Sequence, residues 1–217
     1  MLNSWQAVGL TQEEESVTIE GVFTEVHDGI LSVVSPENRQ ALRAKYVVGT
    51  DGANSFIRQA LDIDSVAMGF FYDWLILDVI PNQKFDISPQ QMQLCDPNRP
   101  ITIVPGGPGR RRWECMLLPG ESSQELMEPE SAWKILERFG LNSKNATLER
   151  NAIYRFQARW AKKWRKGRCL IAGDAAHLTP PFLGEGMCAG LRDALAIAWR
   201  LDLILSGQAS DDLLNSY

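Results

Sequence analysis

The sequence predicts a mixed α/β fold class with some α+β character, divided between two parts of the chain. Short β-type runs open the chain, longer strands rich in aromatic residues follow, and a strand, a glycine turn and a helix occur twice, once before and once after those longer strands. We expect one part at residues 1–63 and 159–217, and a separate sheet-based lobe at residues 64–158.

The first part begins as a β-meander. Its β-type runs lie at residues 17–19, 22–23, 31–34 and 42–48, with a turn at Asp28-Gly29. The last run, at residues 45–49, leads into Asp51-Gly52 and then into residues 56–61, whose composition suits a short helix.

The middle lobe is predicted to be mainly strands, at residues 69–79, 91–94, 101–104, 111–118 and 147–156. The proline and glycine residues at 105–109 predict a turn between two of them. Trp133, Leu136 and Phe139 recur at a spacing of three, which predicts a helix over residues 130–139.

The chain then returns to the first part through a basic stretch at residues 159–168, for which we expect a solvated turn with Trp160 and Trp164 packed inward. A short buried strand is predicted at residues 169–172 and a helix at residues 187–205. That helix carries an apolar side made of Leu191, Leu195, Ala198, Trp199 and Leu203.

Composition and charge exclude several classes of function. The chain has 217 residues, 45% of them hydrophobic, which is enough to bury a core, and its net charge of −5 disfavours nucleic acids and anionic membranes as partners. The 4 cysteines form no C-x-x-C motif and no apolar run is long enough for a membrane span, so we expect a soluble cytoplasmic protein. The 2 histidines are too few and too isolated for a metal site.

Gly173-Asp174 is the first candidate site, because it follows a buried strand and so places a carboxylate at the carboxyl edge of a sheet, where open α/β folds bind ligands. That carboxylate can accept hydrogen bonds from sugar-like hydroxyls. Downstream, Pro180-Pro181 and the glycines at 184 and 186 lead into a helix whose first N–H groups favour negative charge. On spacing alone, a turn without any ligand remains equally open.

The turn at Asp51-Gly52 is the second candidate site. Asp51 is suited to capping the following helix, and Arg58 offers a fork of donors for a phosphate. A capped turn with a solvated arginine is the alternative.

Together, in this order and separation, the two turns resemble the Asp-Gly and Gly-Asp motifs of the FAD-dependent aromatic-ring hydroxylases, which are single-component flavoprotein monooxygenases. Further segments resemble the 3-(3-hydroxyphenyl)propionate hydroxylase branch, at residues 46–55, 73–75, 95–97, 104–114, 145–150 and 190–194. The resemblance covers essentially the whole chain. It implies a partial FAD-binding domain of the p-hydroxybenzoate hydroxylase type plus a β-sheet substrate-binding lobe.

The resemblance also implies the cofactor contacts. Asp174 would bind the ribityl chain, the backbone from Gly184 to Met187 would meet the flavin ring, and Asp51 and Arg58 would lie near the pyrophosphate and the nicotinamide path. The full candidate set is Asp51, Gly52, Arg58, Gly173, Asp174, Pro181, Gly184, Glu185, Gly186 and Met187. The reaction it implies is hydroxylation of a phenolic ring, such as that of a 3-hydroxyphenylpropionate-like acid, by NAD(P)H and O2 through a flavin C4a-hydroperoxide.

The chain departs from this family in lacking the N-terminal G-x-G-x-x-G unit that takes the FAD pyrophosphate. Gly106, Gly107 and Gly109 lie between two β runs and predict a hairpin turn instead. We therefore expect a fragment that binds FAD weakly or not at all when isolated. Relatives often have Gln at the position of Glu185, so we expect this carboxylate to point away from the flavin or to be partly neutralised.

Substrate contacts and alternative functions are less constrained by the sequence. The candidates for the substrate pocket are Phe70, Phe71, Trp74, Met92, Leu94 and Trp113, whose facing depends on strand register. His177 is expected to be a hydrogen-bonded structural residue, and no catalytic base is assigned. A non-catalytic fragment that binds an aromatic ligand or a partner chain is the alternative function, a flavin-dependent halogenase or reductase is a weaker one, and a homodimer stays open.

Overall fold

The computed structural model of the chain describes residues 3–27, 30–34, 38–83, 85 and 89–217, and the side chains of residues 27, 30, 31, 70 and 71 are not part of the description. The turn predicted at Asp28-Gly29 lies outside the described residues. Two units can be distinguished by their internal contacts: unit 1 is Met1–Met68 with Ala158–Tyr217, and unit 2 is Gly69–Gln157. The sequence placed the corresponding boundaries at 63/64 and 158/159.

The predicted elements occur in the predicted order, whereas the strand at Trp5–Gln12 and the helix at Ser123–Leu126 were not predicted. The strands are β1 (Trp5–Gln12), β2 (Val17–His27), β3 (Ile30–Val33), β4 (Arg39–Ala44), β5 (Val47–Gly49), β6 (Ser65–Pro81), β7 (Met92–Leu94), β8 (Ile101–Pro105), β9 (Arg111–Met116), β10 (Ala146–Ala161), β11 (Arg165–Lys166), β12 (Cys169–Ile171) and β13 (His177–Leu178). The helices are α1 (Phe56–Ala60), α2 (Ser123–Leu126), α3 (Pro129–Glu137) and α4 (Gly186–Leu205).

The β-meander of unit 1 is an antiparallel sheet centred on β2, which pairs with β1, β3 and β4. Gly21 of β2 is required there, since a Cβ on it would lie 2.2 Å from the Trp5 ring. The sheet buries Val17 and Ile19 against α1, in one core with Cys169 and Ile171. This core joins the meander to the strands that carry the candidate site.

A small second sheet of unit 1 contains those strands. Its order is β11-β12-β5, with β12 antiparallel to β11 and parallel to β5. The two faces of β12 enter two different cores: Cys169 and Ile171 pack in the core of the meander, whereas Leu170 packs with Ile197 and Leu214. Burial on both faces explains why this strand is continuously apolar.

Helix α4 differs from the sequence prediction in the side that it buries. Asp193 and Ile197 are its buried residues, whereas Leu191, Leu195 and Trp199 of the predicted apolar side are exposed, Leu195 at 70%. The amphipathic rule identified the helix correctly but not the face that packs, because the buried face of the helix is the one that meets Leu170 and Leu214.

Unit 2 is a mainly antiparallel sheet in the order β10-β6-β9-β8-β7, covered on one face by α3. The hairpin predicted at residues 105–109 connects β8 to β9. Ala132 and Leu136 of α3 are fully buried against Leu75, Leu77 and other apolar side chains of the sheet. The predicted helix and strands of the middle lobe are therefore confirmed, although β6 and β10 are longer than the sequence indicated.

The basic stretch that follows is only partly as predicted. Residues 159–161 continue β10, and Trp160 is 43% exposed rather than packed inward, because alternate residues of a strand point to opposite faces. Trp164 does pack inward, with its ring stacked on that of His177. Within the part of the chain that the structure describes, no helix is long and apolar enough to cross a membrane.

The cysteines allow a test of these cores. Cys95 is exposed, whereas burial raises the pKa of Cys115 to about 12 and that of Cys169 to about 11. At pH 8, below both raised values, both buried groups stay as unreactive thiols. We expect iodoacetamide to alkylate Cys95 first, and Cys115 and Cys169 only in denaturant, as measured by peptide mass mapping. Native alkylation of Cys115 at a rate within about tenfold of that of Cys95 would contradict the described packing.

Candidate functional site

The two predicted turns lie at the same edge of the small sheet of unit 1. Strands β5 and β12 run parallel in the register Val47↔Cys169 to Gly49↔Ile171, so their carboxyl ends coincide. Both turns contribute to a cavity of about 500 Å³ that opens at this edge. Its lining residues are mostly small: Val48, Thr50, Gly52, Ala172, Gly173, Asp174, Gly190, Ala194, Ile197 and Ala198.

The Asp51 carboxylate accepts hydrogen bonds from residues at the start of helix α1. One carboxylate oxygen accepts a hydrogen bond from Ser55 Oγ, and the other accepts from the Ile57 amide at 3.0 Å. Ser55 is itself the N-cap, and its Oγ accepts from the Arg58 amide at 2.9 Å. The predicted capping role is thus shared with Ser55, and contact of Asp51 with a cofactor stays a prediction.

Arg58 is buried and connects the two turns. Its guanidinium donates to the Ala175 carbonyl at 2.8 Å and to the Ala53 carbonyl at 2.9 Å, and Arg159 also donates to the Ala53 carbonyl. Burial, followed by the charge of Arg159, lowers the pKa of Arg58, whereas Asp51 raises it. Arg58 acts here as a brace, by which we mean that its guanidinium links the two turns by hydrogen bonds to a carbonyl of each. Its expected contact with a phosphate stays a prediction.

Asp174 is the acidic group that the turns leave free. Gly173 has φ of 58°, which a glycine adopts without strain, and begins a 3-10 turn from Gly173 to Ala175. The Asp174 side chain is exposed and has no hydrogen bond or ion pair to any other described residue. A carboxylate at a cavity rim with unused acceptors is suited to a ligand that carries hydroxyl donors.

Asp193 holds the same turn from helix α4, and it was not among the predicted site residues. Its Oδ2 accepts from the Gly173 amide at 2.8 Å and lies 2.7 Å from His177 Nε2. Trp164 stacks on the His177 ring with centroids 5.2 Å apart. His177 is therefore the hydrogen-bonded structural residue that the sequence predicted. A signal for Asp193 existed in the sequence, since it lies four residues before Ile197 on one side of an apolar helix.

The segment before α4 is arranged as a turn and a helix start. Pro181–Leu183 form a 3-10 turn, Gly184 has φ of 65°, and α4 begins at Gly186. The Glu185 side chain is exposed, lies 3.7 Å from Arg192 and is not among the residues that line the cavity, and its direction relative to a flavin stays a prediction. Met187 is also exposed.

The substrate candidates whose side chains are described lie on both faces of the sheet of unit 2, and their contact with a substrate stays a prediction. Trp113 is fully buried in the core beneath α3, and Met92 and Leu94 pack against the same core, which gives all three a packing role. Trp74 projects from the opposite side of the sheet and stacks on Phe156 with centroids 5.8 Å apart. The side chains of Phe70 and Phe71 lie outside the described residues.

Glu114 is a buried acid of unit 2 that the sequence did not single out. It lies opposite Ile76 and Thr102 in the sheet, beside the bidentate pair of Arg112 with Asp78 at 2.7 and 2.9 Å. Burial raises the pKa of Glu114, Arg112 lowers it and Asp78 raises it. The sign of the net shift indicates a carboxyl that is protonated more readily than usual.

The bracing role of Arg58 predicts a defined loss of stability. Arg58→Met keeps the length of the side chain but removes both donors, which leaves the buried Ala175 carbonyl without a partner. We expect a loss of about 1–3 kcal/mol in the free energy of unfolding, measured by urea denaturation. Arg192→Met is the matched control, because Arg192 is 73% exposed, and should change stability by less than about 0.5 kcal/mol. Equal effects of the two variants would contradict the brace.

Several solved structures resemble the whole chain. The crystal structure of p-nitrophenol 4-monooxygenase from Pseudomonas putida superimposes with a TM-score of 0.81 at 24% identity, over 98% of this chain and 51% of that one. The ternary complex of aklavinone-11 hydroxylase with FAD and aklavinone has a TM-score of 0.81 at 26% identity, over 97% of this chain and 39% of that one. The fold described above therefore corresponds to one part of the fold of these larger proteins.

Curated relatives are more similar in sequence. A probable NADH-specific resorcinol 4-hydroxylase from Rhodococcus jostii is 38% identical over 93% of this chain and 38% of its own length. A 3-(3-hydroxy-phenyl)propionate/3-hydroxycinnamic acid hydroxylase from Klebsiella pneumoniae is 35% identical over 91% of this chain and 36% of its own length. The chain thus spans less than two fifths of these relatives. Residues 4–217 match the family described as FAD binding domain, and the chain belongs to that family.

Proposed function

We propose that this chain holds the ribityl and ring end of FAD in a monooxygenase that hydroxylates a phenolic ring. The observation that carries the proposal is the Asp174 carboxylate, which has no partner among the described residues and lies on the rim of a cavity of about 500 Å³ at the carboxyl ends of two parallel strands. Glycine and alanine residues line much of this cavity, so a flat ligand can approach the backbone closely. These residues fit the sugar-alcohol chain and ring of a flavin.

Different residues of the site would contact different parts of the flavin. Asp174 accepts hydrogen bonds from ribityl hydroxyls, while Gly52 and Gly173 leave room beside the ligand. The first N–H groups of α4, from Gly186 onward, offer the positive end of a helix dipole to the electron-rich side of the ring. Glu185 is exposed and lies near Arg192, and this position would keep its negative charge away from the electron-rich side of the flavin ring. When bound, the flavin supplies the redox chemistry of hydride acceptance and oxygen activation.

The substrate class is proposed from the relatives' names. Both curated relatives described above are named for hydroxylases of phenols, and one is named as specific for NADH. We therefore propose NADH and O2 as co-substrates and a phenol such as resorcinol or a 3-hydroxyphenylpropionate-like acid as substrate. A cytoplasmic location is proposed as well, because all 4 cysteines are free thiols. A homodimer stays a prediction.

The ligand-binding half of the proposal can be tested on the chain itself. In ¹⁵N-labelled protein, riboflavin and FAD should shift the Asp174 amide resonance, whereas ADP, which lacks ribityl and ring, should not. Asp174→Ala should weaken riboflavin binding by about ten- to hundredfold, as expected for loss of a charged hydrogen-bond acceptor. Asp202→Ala, an exposed acid of α4, is the control and should bind as the wild type does. Equal shifts with ADP and riboflavin would refute the assignment of the cofactor's ends.

The isolated chain should hold FAD only weakly. No G-x-G-x-x-G turn occurs in the sequence to take the pyrophosphate, so one end of the cofactor lacks its usual contacts. We expect purification without bound flavin and a dissociation constant above about 10 μM by fluorescence titration. A yellow preparation with one FAD per chain would contradict this.

The catalytic part of the proposal can be tested in a chimera with one of the relatives. A chimera in which this chain replaces the matching region of the Klebsiella pneumoniae relative should oxidise NADH faster when resorcinol or 3-(3-hydroxyphenyl)propionate is added. The control substrate is 3-phenylpropionate, which lacks the ring hydroxyl and should not be hydroxylated. A folded chimera that binds FAD but hydroxylates none of these compounds would favour the alternative, a non-catalytic chain that binds an aromatic ligand or a partner.

A further inference from the structure

We propose that Asp193 is a positioning residue, which fixes the Gly173-Asp174 turn from helix α4 so that the Asp174 carboxylate stays directed to the ligand. This inference rests on the proposed function of the cavity and deepens it. Asp193 itself is not among the residues that line the cavity. Its effect on a ligand would therefore be exerted through the turn.

The first support is the backbone of the turn. Gly173 follows β12, where the strand pairing ends, so its amide needs a new acceptor. Asp193 Oδ2 supplies one at 2.8 Å. The contact is close along the backbone too, since a Cβ placed on Gly190 would lie 3.6 Å from Gly173 Cα. The turn and the helix are therefore in direct contact through their backbones as well as through the Asp193 side chain.

The second support is the histidine on the other side of the turn. His177 Nε2 lies 2.7 Å from the same Asp193 oxygen. Because a carboxylate oxygen only accepts, this nitrogen must carry the proton, which fixes the tautomer of the ring. Trp164 holds one face of the ring, and Trp164 Nε1 donates to the Ala161 carbonyl at 3.2 Å. Asp193 thus binds the chain on both sides of Asp174, at Gly173 and at His177 in β13.

The three acids near the cavity differ in their hydrogen-bond partners. Asp51 is engaged by the start of α1 and Asp193 by the turn, while Asp174 has no partner among the residues that the structure describes. A free carboxylate beside a mobile turn would be able to fold back onto nearby N–H groups. Satisfying the Gly173 amide with a different acid keeps Asp174 available.

The test compares two variants of Asp193 with one control. Asp193→Ala removes the acceptor, whereas Asp193→Asn can still place one oxygen where Oδ2 accepts both hydrogen bonds. Asp202→Ala changes an exposed acid of the same helix and serves as the control. Three readouts are followed by NMR: hydrogen exchange of the Gly173 amide, the ¹⁵N shifts of the His177 ring, and the shift of the Asp174 amide during titration with riboflavin.

We expect Asp193→Ala to speed exchange of the Gly173 amide by about tenfold or more and to weaken riboflavin binding by about tenfold, while β12 amides stay protected. His177 should lose its fixed Nε2–H tautomer. Asp193→Asn should restore exchange and affinity to within about threefold of the wild type. A purely structural role would instead lower protection throughout unit 1, including that of the β12 amides.

Two results with Asp193→Ala would overturn this inference and leave the proposed function of the cavity standing. One is unchanged exchange of Gly173 in Asp193→Ala, and the other is faster exchange with riboflavin bound as tightly as by the wild type. If Asp193→Ala does not fold, a loss of affinity in Asp193→Asn as large as that caused by Asp174→Ala overturns it too, because asparagine keeps the hydrogen bonds. Failure of the wild-type Asp174 amide to respond to riboflavin would instead overturn the proposed function, and this inference with it.

Discussion

The parallel pairing of β5 with β12 is the constraint on which the candidate site depends. These strands are far apart in sequence, and all of unit 2 lies between them along the chain. Parallel strands end at the same edge, so their pairing alone brings Asp51-Gly52 next to Gly173-Asp174. The short strands do not hold this arrangement by themselves. Cys169 and Ile171 enter the core of the meander while Leu170 enters a second core, so both faces of β12 fix the register.

A second layer of polar contacts keeps the two turns in place. Arg58 donates to carbonyls of both turns, and Asp193 accepts from the Gly173 amide and His177. A buried polar group without a partner destabilises the folded state. Each of these contacts therefore stabilises the site most in the conformation where all of them are made. The outcome is a cavity whose polar supports are hydrogen-bonded to one another, while the Asp174 carboxylate in its lining has no partner among the described residues.

The exposed side of α4 is the feature that local sequence rules handle least well. Leu191, Leu195 and Trp199 form a stripe at the helical period, and the sequence therefore indicated a face that packs. In the structure this stripe is exposed, and the buried side carries Asp193. Hydrophobic periodicity reports that a helix has an apolar face, but it does not report which surface is present to cover that face. Exposed apolar patches of this kind commonly mark interaction surfaces.

The sequence by itself determined the order and kind of most elements, the hairpin at residues 105–109, and the two glycine turns with their acids. These features depend on local propensity and spacing. Tertiary structure alone decided which acid stays free, because Asp51 and Asp174 look equivalent until Ser55 and the Ile57 amide engage the first. It also decided that Trp113 belongs to a core and that Asp193 supports the site, since strand facing and helix docking depend on contacts between residues distant in sequence.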